Sequence, residues 1–195
     1  MSKQDLRAVI LDHARTLFLD DGAKGLSMRK LATVVGVTPG AIYWHFKNKE
    51  ELVSEIFLEG VNTFSRYLSR SLTGKDPLDR LMMCSEGFLA FGLEQPSHYD
   101  VFFLNRTPEI DGLVVEQLTA LRRGNFQLLV DRIRDCREAG LLRQDIEVEQ
   151  TATLMLSTCQ GLITMYRFGY LSSGVEHFQK IYRNTFNALL QAILA

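Results

Sequence analysis

Residues 26–53 read LSMRKLATVVGVTPGAIYWHFKNKEELV, and this stretch decides the fold of the N-terminal part of the chain. Ser27 precedes a short segment of periodic apolar residues, as the N-cap of a helix does. Gly36 marks a tight turn, because glycine tolerates the left-handed backbone that ends many helices. Thr38 and Pro39, a cap and a first-turn proline, predict the start of another short helix. Two short helices joined by a glycine turn are typical of a helix-turn-helix.

The second of these helices, predicted over residues 39–45, has an unusual outward face. Ile42 and Phe46 are apolar and four residues apart, so they are predicted to face inward. Tyr43 and Trp44 then face outward, where a solvated helix normally carries lysine and glutamate. A DNA groove explains them, since a tyrosine hydroxyl donates to phosphate and an aromatic ring contacts sugar or a thymine methyl. We interpret this helix as the recognition helix of a DNA-binding head.

The distribution of charge agrees with this interpretation. The chain of 195 residues has a formal net charge of −1. Residues 1–50 hold eight Lys and Arg against five Asp and Glu, a balance of +3, which leaves −4 for the rest. A mildly basic head on an acidic body suits nucleic-acid binding. Lys49 lies at the start of the helix that Asn48 is predicted to cap, with Glu51 as the reciprocal partner, and such a helix start favours phosphate.

Apolar residues recur at helical spacing through the rest of the chain, and no alternation of period two predicts a strand. All four prolines lie where a helix is predicted to begin or end. We therefore predict an all-α protein of about nine helices, with the sixth over 97–105 and the eighth over 147–170. Residues 1–48 are predicted to form a three-helix DNA-binding domain, and residues 49–195 a second helical domain.

Motifs for other classes of protein are absent from the sequence. It has no hydrolase elbow, P-loop, dinucleotide-binding or zinc-protease motif, so we predict no enzyme, no catalytic residue and no cofactor. The histidines lie apart from one another and from cysteine, which disfavours a metal site. Cys84, Cys136 and Cys159 are far apart and predict reduced thiols that fill the core. Without an apolar signal peptide or membrane span, a cytoplasmic chain is expected.

The N-terminal head resembles a known family. Residues 10–27, ILDHARTLFLDDGAKGLS, resemble the first helix of the tetracycline-repressor (TetR) family, and the match covers about residues 6–57. The remainder is similar only in length and helical content. The run that resembles the DNA-binding segment of the family consists of Ala32, Gly36, Val37, Gly40, Tyr43, His45, Phe46, Lys49 and Leu52.

This resemblance implies a homodimeric transcriptional regulator, usually a repressor, that binds double-stranded operator DNA. It also implies that residues 49–195 form an effector-binding and dimerisation domain, with a small-molecule pocket and a dimer interface on the last two helices. The DNA contacts that the resemblance implies, by position in the motif, fall on Ser27, Arg29, Thr38, Pro39, Gly40, Tyr43, Trp44, His45 and Lys49.

Large apolar side chains are frequent in helices 4 to 8. Methionine and aromatic side chains suit a pocket that adapts to a bulky apolar guest, so we expect a mostly apolar effector. A regulator with no small-molecule effector, controlled by a protein partner or constitutive, is the alternative that the sequence leaves open. The candidate pocket residues are Phe64, Tyr67, Met82, Phe88, Phe91, Tyr99, Phe102, Phe103, Phe126 and Met155.

The last two predicted helices carry the candidate dimer interface. The apolar face of helix 9 is too wide for the single side of a peripheral helix, and small residues on helix 8 permit close approach of another helix. Two such helices from each of two chains would form a four-helix interface. The candidate interface residues are Thr158, Gly161, Leu162, Met165, Phe178, Ile181, Tyr182, Phe186 and Leu189.

Overall fold

The computed structural model describes residues 3–105, 112–171 and 174–195. Within those residues the chain forms nine α-helices and no β-strand, apart from a bridge pair between Leu142 and Leu194. The all-α prediction is therefore confirmed. The helices are α1 (Lys3–Gly25), α2 (Met28–Val35), α3 (Pro39–His45), α4 (Lys49–Ser69), α5 (Pro77–Glu94), α6 (Pro96–Tyr99), α7 (Gly112–Glu138), α8 (Val148–Arg167) and α9 (Val175–Gln191).

Two short segments extend helices with a different winding. A 3₁₀ turn over Arg70–Thr73 follows α4, and a π-helical turn over Asp100–Leu104 follows α6. The sixth helix, predicted as one element over 97–105, is thus a single α-helical turn continued by a wider one. The eighth helix ends earlier than predicted, at Arg167, because Gly169 has a φ of 80° that a right-handed helix does not allow.

The chain divides into two compact units. Unit 1 comprises Met1–Thr63 and Gln95–Leu121, and unit 2 comprises Phe64–Glu94 and Arg122–Ala195. Helix α4 contributes residues to both units. The predicted domain boundary after residue 48 does not coincide with a limit of either unit, and the division into functional domains stays a prediction.

The core of unit 1 joins α1 to α4. Ile10 and Ile56 are fully buried, and the rings of Phe18 and Phe57 meet edge to face with their centroids 5.5 Å apart. A Cβ atom at Gly60 of α4 would lie 3.5 Å from the backbone oxygen of His98, an ordinary van der Waals distance, so α4 and α6 lie against each other here.

The core of unit 2 is formed by α5, α8 and α9. Gly92 of α5 faces Ile163 of α8, where an added Cβ atom would lie 2.9 Å from that side chain. The buried residues of helix α9 recur every four positions, so one face of this helix packs against the core of unit 2. These buried residues of α9 are Phe178, Tyr182, Phe186 and Leu190.

All three cysteines are free thiols in buried positions, which confirms the prediction that they fill the core. Burial raises the pKa of Cys84. It raises the pKa of Cys136 and of Cys159 to about 11 each. A thiol reacts as its thiolate, so these three side chains are poor nucleophiles in the folded chain.

Candidate DNA-binding interface

The helix-turn-helix begins and turns where the sequence predicts. The Ser27 hydroxyl oxygen accepts a hydrogen bond from the Lys30 backbone N–H at 3.1 Å, which caps α2. Gly36 ends α2 with φ 76° and ψ 33°, the left-handed conformation, and its N–H donates to the carbonyl oxygens of Ala32 and Thr33. These local contacts fix the angle at which the chain enters the next helix.

Helix α3 is held by its cap and by two buried side chains. The Thr38 hydroxyl oxygen accepts from the Ala41 backbone N–H at 3.3 Å, and Pro39 is the first helical residue. Ile42 and Phe46 have no exposed surface. The predicted inward face of α3 is therefore confirmed, and it anchors the helix to the rest of unit 1.

The opposite face of α3 is open. The Tyr43 side chain is 52% exposed and Trp44 is 60% exposed. The Trp44 and His45 rings stand perpendicular to each other, with centroids 4.7 Å apart. At Gly40 an added Cβ atom would meet nothing of the chain closer than the Thr38 hydroxyl, at 3.8 Å. Packing within the chain therefore does not require a glycine at this position.

The start of α4 is capped by two side chains. The Asn48 carboxamide oxygen accepts from the Glu51 backbone N–H at 2.8 Å. The Glu51 carboxylate accepts from the Lys47 backbone N–H at 2.6 Å, whereas the predicted reciprocal bond would have come from the N–H of Asn48, the next residue. Lys49 is the first residue of the helix and is partly exposed. Its position beside the helix N-terminus is the one expected of a phosphate contact.

The predicted contact residues lie along the outer side of the helix-turn-helix. Arg29 is exposed in the first turn of α2, close to the exposed Ser27. Thr38, Pro39 and Gly40 are exposed at the start of α3. His45 is half-buried beside the ring of its neighbour.

One arginine that the sequence analysis did not single out ties these elements together. The Arg7 guanidinium of α1 lies over the Phe46 ring, 4.9 Å from its centroid. It also pairs with the Glu55 carboxylate of α4 at 3.0 Å. Lys30 pairs with Asp21 across the α1–α2 junction. These pairs join residues on different helices, so no periodic pattern within one helix could have revealed them.

The candidate pocket residues fall into separate groups. Phe64, Tyr67, Phe88 and Phe91 form an aromatic cluster in unit 2, with ring centroids 5.1–5.7 Å apart. The Tyr67 hydroxyl donates to the Glu94 carboxylate at 2.7 Å. This cluster is buried, so its rings pack against one another.

The other candidate pocket residues occupy different surroundings. In unit 1, Phe103 meets Tyr99 and Phe102 with ring centroids 4.9 and 4.5 Å apart. Met155 is buried in unit 2, whereas Met82 is partly exposed. Phe126 lines a surface groove of about 510 Å³ between α7 and α8. The remaining residues that line this groove are Glu149, Gln150, Thr153, Leu154 and Ser157.

The candidate interface residues divide by burial. On α8, Thr158, Gly161, Leu162 and Met165 are exposed or partly exposed. On α9, Ile181 and Leu189 are partly exposed. Two exposed aromatic residues, which the sequence did not reveal as candidates, follow the end of α8. These are Phe168, 66% exposed, and Tyr170, 77% exposed.

Three candidate interface residues are buried within their own chain, which contradicts their predicted place in a dimer interface. Phe178 and Tyr182 have no exposed surface and Phe186 has 3%, because α9 packs them against the core of unit 2. Such side chains cannot contact a second chain, and we remove them from the predicted interface.

Two further observations concern the described part of the chain only. None of its helices is both long enough and apolar enough to cross a membrane. Across residues 3–105, 112–171 and 174–195, no three His, Cys, Asp or Glu side chains group as metal ligands would.

The fold defines a helix-turn-helix protein, and comparison with known proteins identifies its family. The family described as "Bacterial regulatory proteins, tetR family" matches residues 10–56. "Tetracyclin repressor-like, C-terminal domain" matches residues 81–192. The chain therefore belongs to the TetR family of helix-turn-helix transcriptional regulators.

Individual relatives and solved structures support the same family. The HTH-type transcriptional regulator TtgR of Pseudomonas putida is 37% identical over 171 residues, which are 82% of this chain and 79% of TtgR. The solved structure of PfmR from Thermus thermophilus has a TM-score of 0.80 at 23% identity, covering 93% of this chain and 97% of PfmR. AibR, solved in complex with isovaleryl coenzyme A and operator DNA, has a TM-score of 0.77 at 22% identity, covering 95% of this chain and 98% of AibR.

Proposed function

We propose that this chain is a homodimeric repressor that reads operator DNA with α3 and is released by a small, mostly apolar effector. The observation that carries the DNA-binding part is the contrast across α3. Ile42 has no exposed surface, whereas Trp44 is 60% exposed. A short helix that exposes two aromatic side chains beside a bare glycine is suited to insertion into the major groove.

The proposed contact residues form two groups, those that contact base edges and sugars and those that contact phosphates. Tyr43 and Trp44, with Pro39 and Gly40, face the base edges and sugars of the major groove. The hydroxyls of Ser27 and Thr38 accept capping bonds through an oxygen lone pair, so each can still donate its own hydrogen to a phosphate. The other proposed phosphate contacts are Arg29, His45 and Lys49.

A dimer with two such heads would place two recognition helices in successive major grooves, about 34–36 Å apart. The exposed face of α8 supports this assembly, because it carries apolar and small side chains. Gly161 offers room for a close helix approach, since an added Cβ atom there would meet nothing of its own chain. The proposed interface consists of Thr158, Gly161, Leu162, Met165, Phe168, Tyr170, Ile181 and Leu189.

The effector is proposed to bind inside each subunit, at the aromatic cluster of Phe64, Tyr67, Phe88 and Phe91 in unit 2. Helix α4 supports a route to the DNA, because it begins at Lys49 and also carries Phe64 and Tyr67 of the aromatic cluster. A ligand that displaced those rings would act on the same helix that starts at the phosphate site. The solved complex of AibR with both isovaleryl coenzyme A and operator DNA supports a ligand-responsive fold.

The experiment selects bound duplexes from random DNA and measures affinity by fluorescence anisotropy, with and without a panel of apolar compounds. A ligand that binds only the folded chain raises its melting temperature, so the same panel is screened by thermal unfolding. To release DNA, a ligand must favour the non-binding state, because equal affinity for both states shifts nothing. A chain that selects no sequence overturns the DNA-binding proposal. Selective DNA binding with no thermal shift from any compound favours the regulator without an effector.

A further inference from the structure

A polar cluster buried in unit 1 joins three helices. The Arg15 guanidinium of α1 is 8% exposed, and its Nη1 pairs with the Glu59 carboxylate of α4. The same Nη1 lies 3.0 Å from Nε2 of His98, which is 9% exposed on α6. Nη2 pairs with Asp12, one turn earlier on α1. The histidines lie apart from one another in the sequence, and the partners of His98 are distant from it along the chain.

The contact between Arg15 and His98 is a hydrogen bond in only one protonation state of the ring. A guanidinium only donates hydrogen bonds, so Nε2 of His98 must accept. The ring is then neutral, with its proton on Nδ1. If the ring gains a second proton, both nitrogens become donors, and two positive groups face each other at the 3.0 Å that separates Nη1 from Nε2.

The charges around the ring decide the effect of a second proton. From α1 the ring is faced by Arg15 with Asp12 behind it, from α4 by Glu59, and on its own segment Asp100 lies two residues along. The Glu59 Oε2 atom is 3.3 Å from Nε2 and also accepts from Arg15. A charged ring would therefore compete with Arg15 for the same carboxylate oxygen. Protonation therefore makes the contact between Arg15 of α1 and His98 of α6 repulsive, while the Glu59 carboxylate of α4 gains an ion pair with the ring.

Helices α4 and α6 lie against each other beside this cluster. At Gly60, next to Glu59, an added Cβ atom would lie 3.7 Å from Phe102 and 3.5 Å from the His98 backbone oxygen. Helix α1 in turn packs on α2, and α2 on α3. A displacement of α1 at Arg15 therefore reaches the recognition helix through direct contacts.

We propose that His98 is a pH-sensitive latch, which holds α1 to α6 through Arg15 when neutral and releases α1 when protonated. Histidine is the side chain that ordinarily changes charge between pH 5 and 8. Operator affinity accordingly falls as the pH is lowered through that range. This inference rests on the DNA binding proposed above.

The test compares the full chain with His98→Gln, which keeps an acceptor for Arg15 and does not titrate. Affinity for a selected duplex is measured by anisotropy at pH 8 and pH 5.5. We expect the original chain to lose roughly five- to tenfold more affinity than the variant, within the usual range of coupling between sites. His45 is present in both proteins, so any contribution that it makes to the pH dependence cancels in the ratio. Equal losses overturn the latch.

A second measurement does not depend on the variant or on DNA. Nitrogen NMR of the histidine side chains at pH 8 reports which ring nitrogen of His98 carries the proton. We expect Nε2 to be unprotonated, with chemical shifts of the ring and of the Arg15 guanidinium moving together on acidification. A proton on Nε2 at pH 8 overturns the latch. So do Arg15 guanidinium chemical shifts that stay constant on acidification. A chain that binds no DNA at pH 8 overturns the proposed function and leaves this readout decisive.

Discussion

Ile42 and Trp44 lie two residues apart on α3, and the first has no exposed surface while the second is 60% exposed. The two positions therefore separate folding from recognition. For Tyr43→Ala combined with Trp44→Ala, we expect loss of sequence-specific operator binding and an unchanged melting temperature, since neither side chain is buried. Anisotropy with a selected duplex and thermal unfolding by circular dichroism measure the two effects.

The matched control is Ile42→Ala. It removes a fully buried side chain, so we expect a loss of about 2–5 kcal/mol of unfolding free energy. Specific operator binding at normal affinity in the double variant would show that the outer face of α3 does not contact DNA.

Gly40→Ala tests how closely α3 approaches the DNA. An added methyl group meets no atom of the chain nearer than 3.8 Å, so the folded state accommodates it and the melting temperature stays the same or rises slightly. Operator affinity should fall by about tenfold or more, given that one disturbed base pair costs about 1–3 kcal/mol.

Gly124→Ala on α7 is the control for that substitution. It also places a methyl group in open space within a helix, but far along the chain from the helix-turn-helix. It should leave DNA affinity unchanged. If Gly40→Ala behaved in the same way, the bare helix start would have no role in recognition.

Lys49→Ala tests the phosphate site at the start of α4. We expect weaker binding to all duplexes to about the same extent, and a slope of log affinity against log salt that is smaller by about two in a dimer. Lys75→Ala, an exposed lysine between α4 and α5, should leave the slope as it is. An unchanged slope in the Lys49 variant would remove this lysine from the DNA contacts.

Gly161→Arg tests the proposed dimer. Because the space beside Gly161 is empty within its own chain, the arginine should leave the folded subunit intact and obstruct only a second copy. Analytical ultracentrifugation at micromolar concentration should show a dimer for the original chain and a monomer for the variant. Gly124→Arg should remain dimeric. A monomeric original chain would contradict the two-headed mechanism as well.

The buried thiols make a prediction about reactivity. The pKa of Cys136 and of Cys159 is about 11 because burial disfavours the thiolate. At pH 8 the folded chain should therefore resist iodoacetamide at all three cysteines, and unfolding in urea should expose them to rapid alkylation. Mass spectrometry counts the alkyl groups in each state. Rapid modification of the native chain would show that the core opens around these residues.

The same raised pKa affects stability in alkali. In the unfolded chain these thiols ionise near pH 9, so between about pH 9 and 11 the unfolded state binds fewer protons than the folded state. The free energy of unfolding, measured by urea titration at several pH values, should consequently fall as the pH rises through that range.

The helix-turn-helix could be predicted from the sequence because local chemistry specifies it. Ser27, Gly36 and Thr38 each act on backbone groups within four residues, and their types alone indicate what they do. The predicted wide apolar face of α9 was partly wrong for the opposite reason. Whether Tyr182 faces a partner or its own core depends on α5, where its hydroxyl donates to the Ser85 backbone oxygen at 3.0 Å.

The polar pairs between residues distant along the chain could not be predicted from the sequence either. Arg15 and His98 are 83 positions apart, and no periodic pattern relates them. The aromatic residues of helices 4 to 8 were correctly marked as large and apolar, but their partition between two units depends on how distant helices pack. Composition indicates which side chains could line a pocket, but it does not give their positions in the fold.

Because the native thiols are buried, a single introduced cysteine can be labelled selectively for spectroscopy. A cysteine introduced at an exposed position of the head, such as Thr33→Cys on α2, would be the preferred target for a maleimide reagent without removal of Cys84, Cys136 or Cys159. A spin label on each copy of a dimer would then give the separation of the two heads by pulsed electron resonance. Recording that separation with DNA, with candidate ligands and across pH would follow the motion of the heads directly.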